Sequence, residues 1–450
     1  MASAAEQLAA NMNFGAFQKA TDLHKRIWFT VIALVVYRIG VFMPIPGIDP
    51  AKYAEQFGKL GQGIIGMLNM FNGGAIKQGS ILSLGVMPYI SASIIVQLLQ
   101  SVYPPWEKLK KEGGEAGRKQ LNQYTRYLTV ALAIFQAAGT SATLLNPLAY
   151  QPGIYFTITA IVTLTGGTMF LMWLGEQITS RGVGNGVSLI IFAGIVARFP
   201  DLFGQLFTQA RENAIPIGML FMVIAILIGV VFAIVFIERS QRRILIQYPK
   251  QQRGNRMIGG DTSFLPIKIN SAGVIPPIFA SSLLVLPATI IGFASTADLP
   301  PWLDFLQNAA GSLSPGRPLH MGLYAFLIIF FCFFYTSVVF NPEDTAENLR
   351  KYGGFVPGIR PGKRTAEYLS SILTRLTVIG AAYITAVCLL PEFAMAFNPA
   401  LSAMAYGIGG TSILIVVSVT MDTVAQIQSH LLQHQYEGLI RKSKLRGRNK

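Results

Sequence analysis

The chain has 450 residues, of which 52% are hydrophobic and only 13% charged. A soluble protein carries about 25% charged residues, so this composition excludes an ordinary soluble domain and puts most of the chain in lipid. The formal net charge is +15, and its placement along the chain carries more information than its size.

Ten apolar runs long enough to span a bilayer fall at about 27–43, 79–100, 127–146, 154–175, 185–199, 215–237, 271–293, 321–340, 372–391 and 405–427. The polar stretch Met1–Arg26 lacks a short apolar core ending in small residues. No cleaved signal peptide is expected, and the first span itself serves as the targeting signal. An even number of spans puts both termini on one side. Lys and Arg identify that side as cytoplasmic, because 28 of the 36 then lie in cytoplasmic segments. Five lie outside (Lys52, Lys59, Lys77, Arg211, Arg317), and Arg38, Arg198 and Arg375 sit in or at the ends of spans. The sole cysteines, Cys332 and Cys388, fall inside apolar runs and imply neither a disulfide framework nor a metal site.

Between the first span and residue 100 the chain reads as a broken helix. Gly61–Phe71 is apolar but spans only 11 residues, about 16 Å of helix against a hydrocarbon core of about 30 Å. Asn72-Gly73-Gly74 breaks it, and a full span is expected from about Gly79. Irregular backbone at membrane depth is tolerated where it is buried in protein or lines a cavity.

Two cytoplasmic loops, 239–270 and 341–368, are long and basic. Attraction to anionic lipid accounts for any single Lys or Arg in them. Their length and their own Gly and Pro turns favour docking of a large acidic or phosphate-rich partner.

Gly85-Val86-Met87-Pro88-Tyr89-Ile90-Ser91-Ala92-Ser93 matches Gly273-Val274-Ile275-Pro276-Pro277-Ile278-Phe279-Ala280-Ser281 at six of nine positions. The two copies open the second and seventh spans. An offset of five spans reverses their direction, which is the pattern of inverted halves related by an axis in the membrane plane. Each Pro is expected to kink its span.

Ion-coupled transporters, the rival class that also uses inverted repeats, need acids or His at mid-membrane. Here Glu176, Glu238 and Asp422 lie near predicted cytoplasmic ends; His24, His430 and His434 are cytoplasmic and His320 lies outside. His430 and His434, one helical turn apart, read as a solvated face rather than a metal site. With no phosphate-binding loop, no nucleophile with a base and no paired carboxylates, the chain reads as a non-enzyme without cofactor or metal. Gly, Ser, Thr and aliphatic residues dominate the spans. Gln97 and Asn185 are candidates for a polar seam, and aliphatic side chains at a constriction can seal a pore by dewetting. A pore-free insertase-like scaffold is the other rival.

The segments PIPGID (44–49), NMFNGGA (69–75), MPYISASIIVQLL (87–99), KKEGGEAGRKQLNQYTRY (110–127), GVGNGVSLIIFAGIV (182–196), NSAGVIPPIFASS (270–282), FVPGIRPGKRT (355–365) and GGTSILIVVSVTMD (409–422) together resemble the SecY family of bacterial protein-translocation channels. The resemblance covers nearly the whole chain. It implies an all-α protein of ten spans in two inverted pseudo-symmetric halves of five, 1–204 and 205–450, around a pore. A re-entrant half-helix plug at about 61–74 closes that pore, using Ile64, Ile65, Met67, Leu68, Met70 and Phe71. The implied pore ring is Val86, Ile90, Ile191, Ile278 and Ile415, with Val at 86 where the family often carries Ile. Gln97 and Asn185 map near the lateral gate between spans two/three and seven/eight. Arg360 maps to a loop position used by the motor ATPase SecA, and Arg242, Arg243, Arg253 and Arg256 to the region used by SecA and the ribosome. The implied partners are SecE and SecG in a heterotrimer, SecA, the ribosome, signal sequences, nascent preproteins and membrane lipids, with SecD, SecF, YajC and YidC as auxiliaries. The implied role is an inner-membrane channel that passes unfolded preproteins and releases apolar helices sideways into lipid.

Overall fold

The computed structural model describes residues 21–49, 52, 53, 55, 57, 69, 71–212, 216–248, 251–253, 256–258, 262–294, 316–397 and 409–447. In chain order its helices are α1 (Thr21–Val41), α2 (Met87–Val102), α3 (Pro104–Glu112), α4 (Gly114–Thr140), α5 (Ile154–Arg181), α6 (Gly186–Val196) and α7 (Phe199–Arg211). There follow α8 (Ile217–Arg239), α9 (Ile275–Ala294), α10 (Pro318–Val339), α11 (Pro342–Lys351), α12 (Lys363–Phe397) and α13 (Gly410–Gly447). Between α8 and α9 lie strands β1 (Gln241–Gln247), β2 (Gln251–Arg253), β3 (Arg256–Ile258) and β4 (Thr262–Lys268).

Every predicted span holds a helix: α1, α2, α4, α5, α6, α8, α9, α10, α12 and α13. Several run well past their apolar cores. α4 starts at Gly114 and α12 at Lys363, because a helix is held by its backbone ladder and need not stop at the edge of the hydrocarbon. α8 is apolar all round yet buries only Leu220, Ile234 and Glu238. Such a helix belongs at the lipid-facing rim.

Two expectations change. The second span begins at Met87 rather than near Gly79, because residues 72–86 form turns instead of helix. Gly73, Gly79 and Gly85 take φ of 65°, 57° and 57° there, a left-handed conformation that glycine alone adopts freely. The repeated prolines also kink nothing. Pro88 sits in the first turn of α2, and Pro276 and Pro277 in the first turn of α9. First-turn N–H groups have no partner within the helix, so Pro is tolerated and even favoured there.

The repeat extends to backbone conformation. Gly85 (φ 57°) precedes the first residue of α2 by two positions, as Gly273 (φ 65°) precedes that of α9. Ala92 and Ala280, equivalent in the repeat, both have no exposed surface, so their small side chains permit the close helix approach that apolar membrane packing relies on.

The first long basic loop is a β-arm. β1 pairs antiparallel with β4 from Gln241↔Lys268 to Gln247↔Thr262, and β2 pairs with β3. The second loop is tied to it by two hydrogen bonds, Gln247 N–H to Phe355 O at 2.9 Å and Phe355 N–H to Gln247 O at 3.0 Å. Beneath both lies one apolar cluster of Ile244, Ile267, Ala346, Val356, Leu369 and Leu373. The two loops are therefore a single packed body.

Candidate functional site

The broken-helix region is anchored by its own polar groups. Asn72 Nδ2 donates to Ser83 O at 2.6 Å, and Lys77 N–H donates to Asn69 Oδ1 at 2.9 Å. Ser80 Oγ donates to Gly40 O at 2.9 Å, and Arg38 Nη1 to Gly73 O at 3.0 Å. Tyr53 Oη donates to Ile76 O at 2.6 Å. Burial pushes this phenol above its ordinary pKa, so it stays a donor. These bonds satisfy polar groups that no helix ladder reaches, and those of Ser80 and Arg38 fix the turns against the end of α1. Phe71 is buried at the edge of the main core. The other expected plug residues, Ile64, Ile65, Met67, Leu68 and Met70, lie outside the described residues.

Gly73 is wedged between α1 and α6. A Cβ there would meet Tyr37 Oη at 2.7 Å and Gly194 Cα at 2.8 Å, whereas one on Gly74 (φ 90°) would meet nothing within 4 Å. Gly74→Ala therefore isolates the backbone strain, on the order of 1–3 kcal/mol, and Gly73→Ala adds the steric cost. We expect Gly73→Ala to lower the melting temperature in detergent clearly more than Gly74→Ala does. Equal shifts would show that the contact with Gly194 is not tight.

The five aliphatic residues singled out in the sequence fall in one large cluster that draws on both halves. Val86, Ile90, Ile191 and Ile415 are buried in it, and Ile278 packs against it half-buried. Their positions follow the repeat. Val86 is the residue before α2 and Ile90 its fourth residue; Val274 is the residue before α9 and Ile278 its fourth. Val274 packs on the same cluster and was missed in the sequence, although aligning the two repeat copies points to it. The Ile278 carbonyl accepts from Ser281 Oγ at 2.9 Å and Ser282 Oγ at 2.7 Å. Where the halves meet, α2 and α4 both contact α9, and α6 packs on α13.

Of the two seam amides, Gln97 donates to Ser93 Oγ at 3.1 Å within α2. Asn185 is not a buried amide. It is exposed and caps α6, its Oδ1 accepting from Val187 N–H at 3.2 Å and Ser188 N–H at 3.4 Å. Helix-start chemistry explains its residue type. A polar link between the halves comes instead from Gly184 N–H, which donates to Gln426 Oε1 at 2.8 Å. No motif marked Gln426.

His320 is the third residue of α10 and is buried, with Nδ1 3.1 Å from Glu392 Oε2. Glu392, at the edge of the ninth apolar run, had drawn no attention. The pair joins α10 to α12, and Tyr324 and Thr411 join α10 to α13 at 2.9 Å. Lying at the start of α10 rather than its middle, His320 and Glu392 staple helix ends together and do not form a mid-membrane relay.

The docking candidates lie on the β-arm body. Arg242 and Arg243 are exposed on β1, and Arg253 and Arg256 are register partners across β2 and β3. Arg360 is exposed between Gly358 (φ 80°) and Gly362 (φ 104°), and its carbonyl accepts from Thr365 Oγ1 at 2.9 Å.

Comparison with known proteins agrees with this geometry. The SecY family model matches residues 80–424. The chain is 51% identical over 431 residues to the protein translocase subunit SecY of Vibrio cholerae, covering 95% of this chain and 96% of that one. It is 47% identical over 442 residues to that of Rickettsia bellii, covering 97% and 100%. A solved structure of a protein-conducting channel superposes with a TM-score of 0.66 at 18% identity, covering 92% of this chain and 93% of that one. Sec61 in a canine ribosome–channel complex superposes with a TM-score of 0.64 at 18% identity and the same coverage. With an apolar helix in each of the ten predicted spans, a turn-rich breaker before the second of them and near full-length identity to these relatives, the chain belongs to the SecY family.

Proposed function

We propose that the chain is the central subunit of a protein-conducting channel. It passes unfolded preproteins across a bacterial inner membrane, with both termini cytoplasmic, and releases transmembrane segments sideways into lipid. The observation that carries this reading is the 51% identity, across almost the whole length, to a protein translocase subunit. The five-residue aliphatic cluster supports it, since such a constriction excludes water and ions without any charged gate. We divide the chain into two halves near 204/205, within α7, with the seam between α2/α4 and α9/α10 as the exit for apolar helices and Gln97 near it. A signal sequence is itself an apolar helix. It opens the seam by replacing the contacts of α2 with α9 and shifting a closed–open equilibrium.

The 61–74 segment is proposed as the plug. A related SecY is described as having a plug domain that stabilises the closed state and maintains a membrane seal. The chain has no chemistry of its own to drive transport, so energy comes from partners. Related channels have been solved in complexes with ribosomes, and the exposed arginines of the β-arm body suit rRNA or an acidic motor surface. We assign SecA and the ribosome to that body, and SecE and SecG as the companion subunits.

The test is crosslinking. A photoreactive residue at Ile191 or Ile278 should capture a secretory chain stalled in transit, while one at lipid-facing Tyr155, 87% exposed, should not. Capture at neither core position would leave a scaffold without a pore.

A further inference from the structure

A cavity of about 700 Å³ opens beside the anchored breaker, well within the range of small-ligand sites. Three elements bring a cation to its wall: Arg38 from the last turn of α1, Lys77 from the loop before α2, and Arg198 from the turn between α6 and α7. Among the described residues Asp201 is the sole acid on that wall; Gln, Thr, Gly and a few apolar residues make up most of the rest. The cavity is thus cationic, and it lies on the face opposite the β-arm, because α7, which lines it, leads into the start of α8, and the β-arm leaves from the other end of α8.

A second, apolar groove of about 360 Å³ adjoins it along α1, lined by Val31, Leu34, Val35 and Ile39 and sharing Arg38 and Phe42 with the cavity. These residues form one helical face that is largely exposed, with Ile39 at 54% and Phe42 at 60%. From Phe42 to Val31 the face runs about 16 Å along the axis, close to half of a 30 Å hydrocarbon core. Arg38 stands at the junction, its guanidinium 5.4 Å above the Phe42 ring, a cation–π arrangement that holds charge over an apolar surface.

We propose that cavity and groove together bind one anionic glycerophospholipid, its phosphate among Arg38, Lys77 and Arg198 and one acyl chain along α1. A soluble anion would use the cavity and leave the groove uncovered. A zwitterionic lipid would fill the groove and leave the excess positive charge uncompensated. The bound lipid clips the breaker loop to α1 and to the α6–α7 turn at once. This inference goes beyond the channel reading and rests only on the chain being embedded in a membrane.

The experiment uses the intact channel complex, with its companion subunits, in vesicles containing phosphatidylglycerol or phosphatidylcholine with a photoactivatable acyl chain. Labelled peptides are mapped by mass spectrometry. Phosphatidylglycerol should label residues 31–42 about tenfold more than phosphatidylcholine. Lys77→Gln with Arg198→Gln should remove about tenfold of that labelling, as loss of two cations near a phosphate implies, while Lys77→Arg with Arg198→Lys should keep it. Equal labelling by the two lipids, or undiminished labelling of the double glutamine variant, overturns the proposal. So does loss of the preference in millimolar inorganic phosphate, which would make the cavity a free-phosphate pocket. A photoreactive residue at Val35 needs no charge variant. Crosslinking to lipid supports the proposal, and crosslinking to a protein helix overturns it.

Discussion

Replacing Ile278 with Asn, alone or with Ile415→Asn, is expected to make the resting channel leak ions and accept cargo with defective signal sequences. The Ile278 side chain packs on a cluster fed by α2, α6, α9 and α13, and its backbone is already held by Ser281 and Ser282. An amide there changes the surface chemistry with little backbone consequence. Burial of an aliphatic side chain contributes about 1.5–3 kcal/mol. Losing that from the sealed state shifts a closed–open balance by about tenfold to a hundredfold. Ile415, 1% exposed, bears more of the folding cost, so Ile278→Asn alone is the cleaner probe. Planar-bilayer conductance and export of a signal-defective preprotein measure the two effects. Unchanged conductance together with unchanged signal stringency would remove Ile278 from the constriction.

Arg360→Glu should abolish motor-driven transport while leaving the protein inserted and folded. Arg360 is exposed on a turn set by two left-handed glycines, and its carbonyl accepts from Thr365 Oγ1. Exposed substitutions of this kind usually change stability by less than about 0.5 kcal/mol. Opposing charge at a docking surface costs several kcal/mol, enough to suppress transport about a hundredfold or more. ATP-driven uptake into inverted vesicles reads this out, and insertion by translating ribosomes separates the two partners. Normal ATP-driven uptake would free Arg360 of a docking role.

The spans were legible because lipid imposes a length and a composition at once, and each of the ten apolar runs holds a helix. The repeat was legible because identical residues recur at identical offsets from a helix start. What escaped notice has physical causes. Hydropathy cannot see that four glycines with positive φ, Gly73, Gly74, Gly79 and Gly85, delay α2 to Met87. Proline reads as a kink until its place in the first turn is known. The β-arm carries no long apolar run, and in the seven residues of β1 buried Ile244 and Ile246 alternate only with half-buried Leu245 and Gln247. Asn185 looked like seam polarity because a cap and a buried amide use the same residue. His320 and Glu392 are 72 residues apart, and only the packing of α10 on α12 brings them together.

The union of the two basic loops has a mechanical consequence. Their shared cluster draws only on residues after position 243, and β1 and β4 run directly out of α8 and into α9. A partner that grips this body therefore holds one leaf of the molecule and not the other. Any push it delivers becomes a torque on α8, α9 and α12 relative to the α1–α6 leaf. The Gln247–Phe355 bridge makes the grip stiff, since neither loop can yield alone. For a partner docked there, the β-arm would be a handle as well as a landing surface.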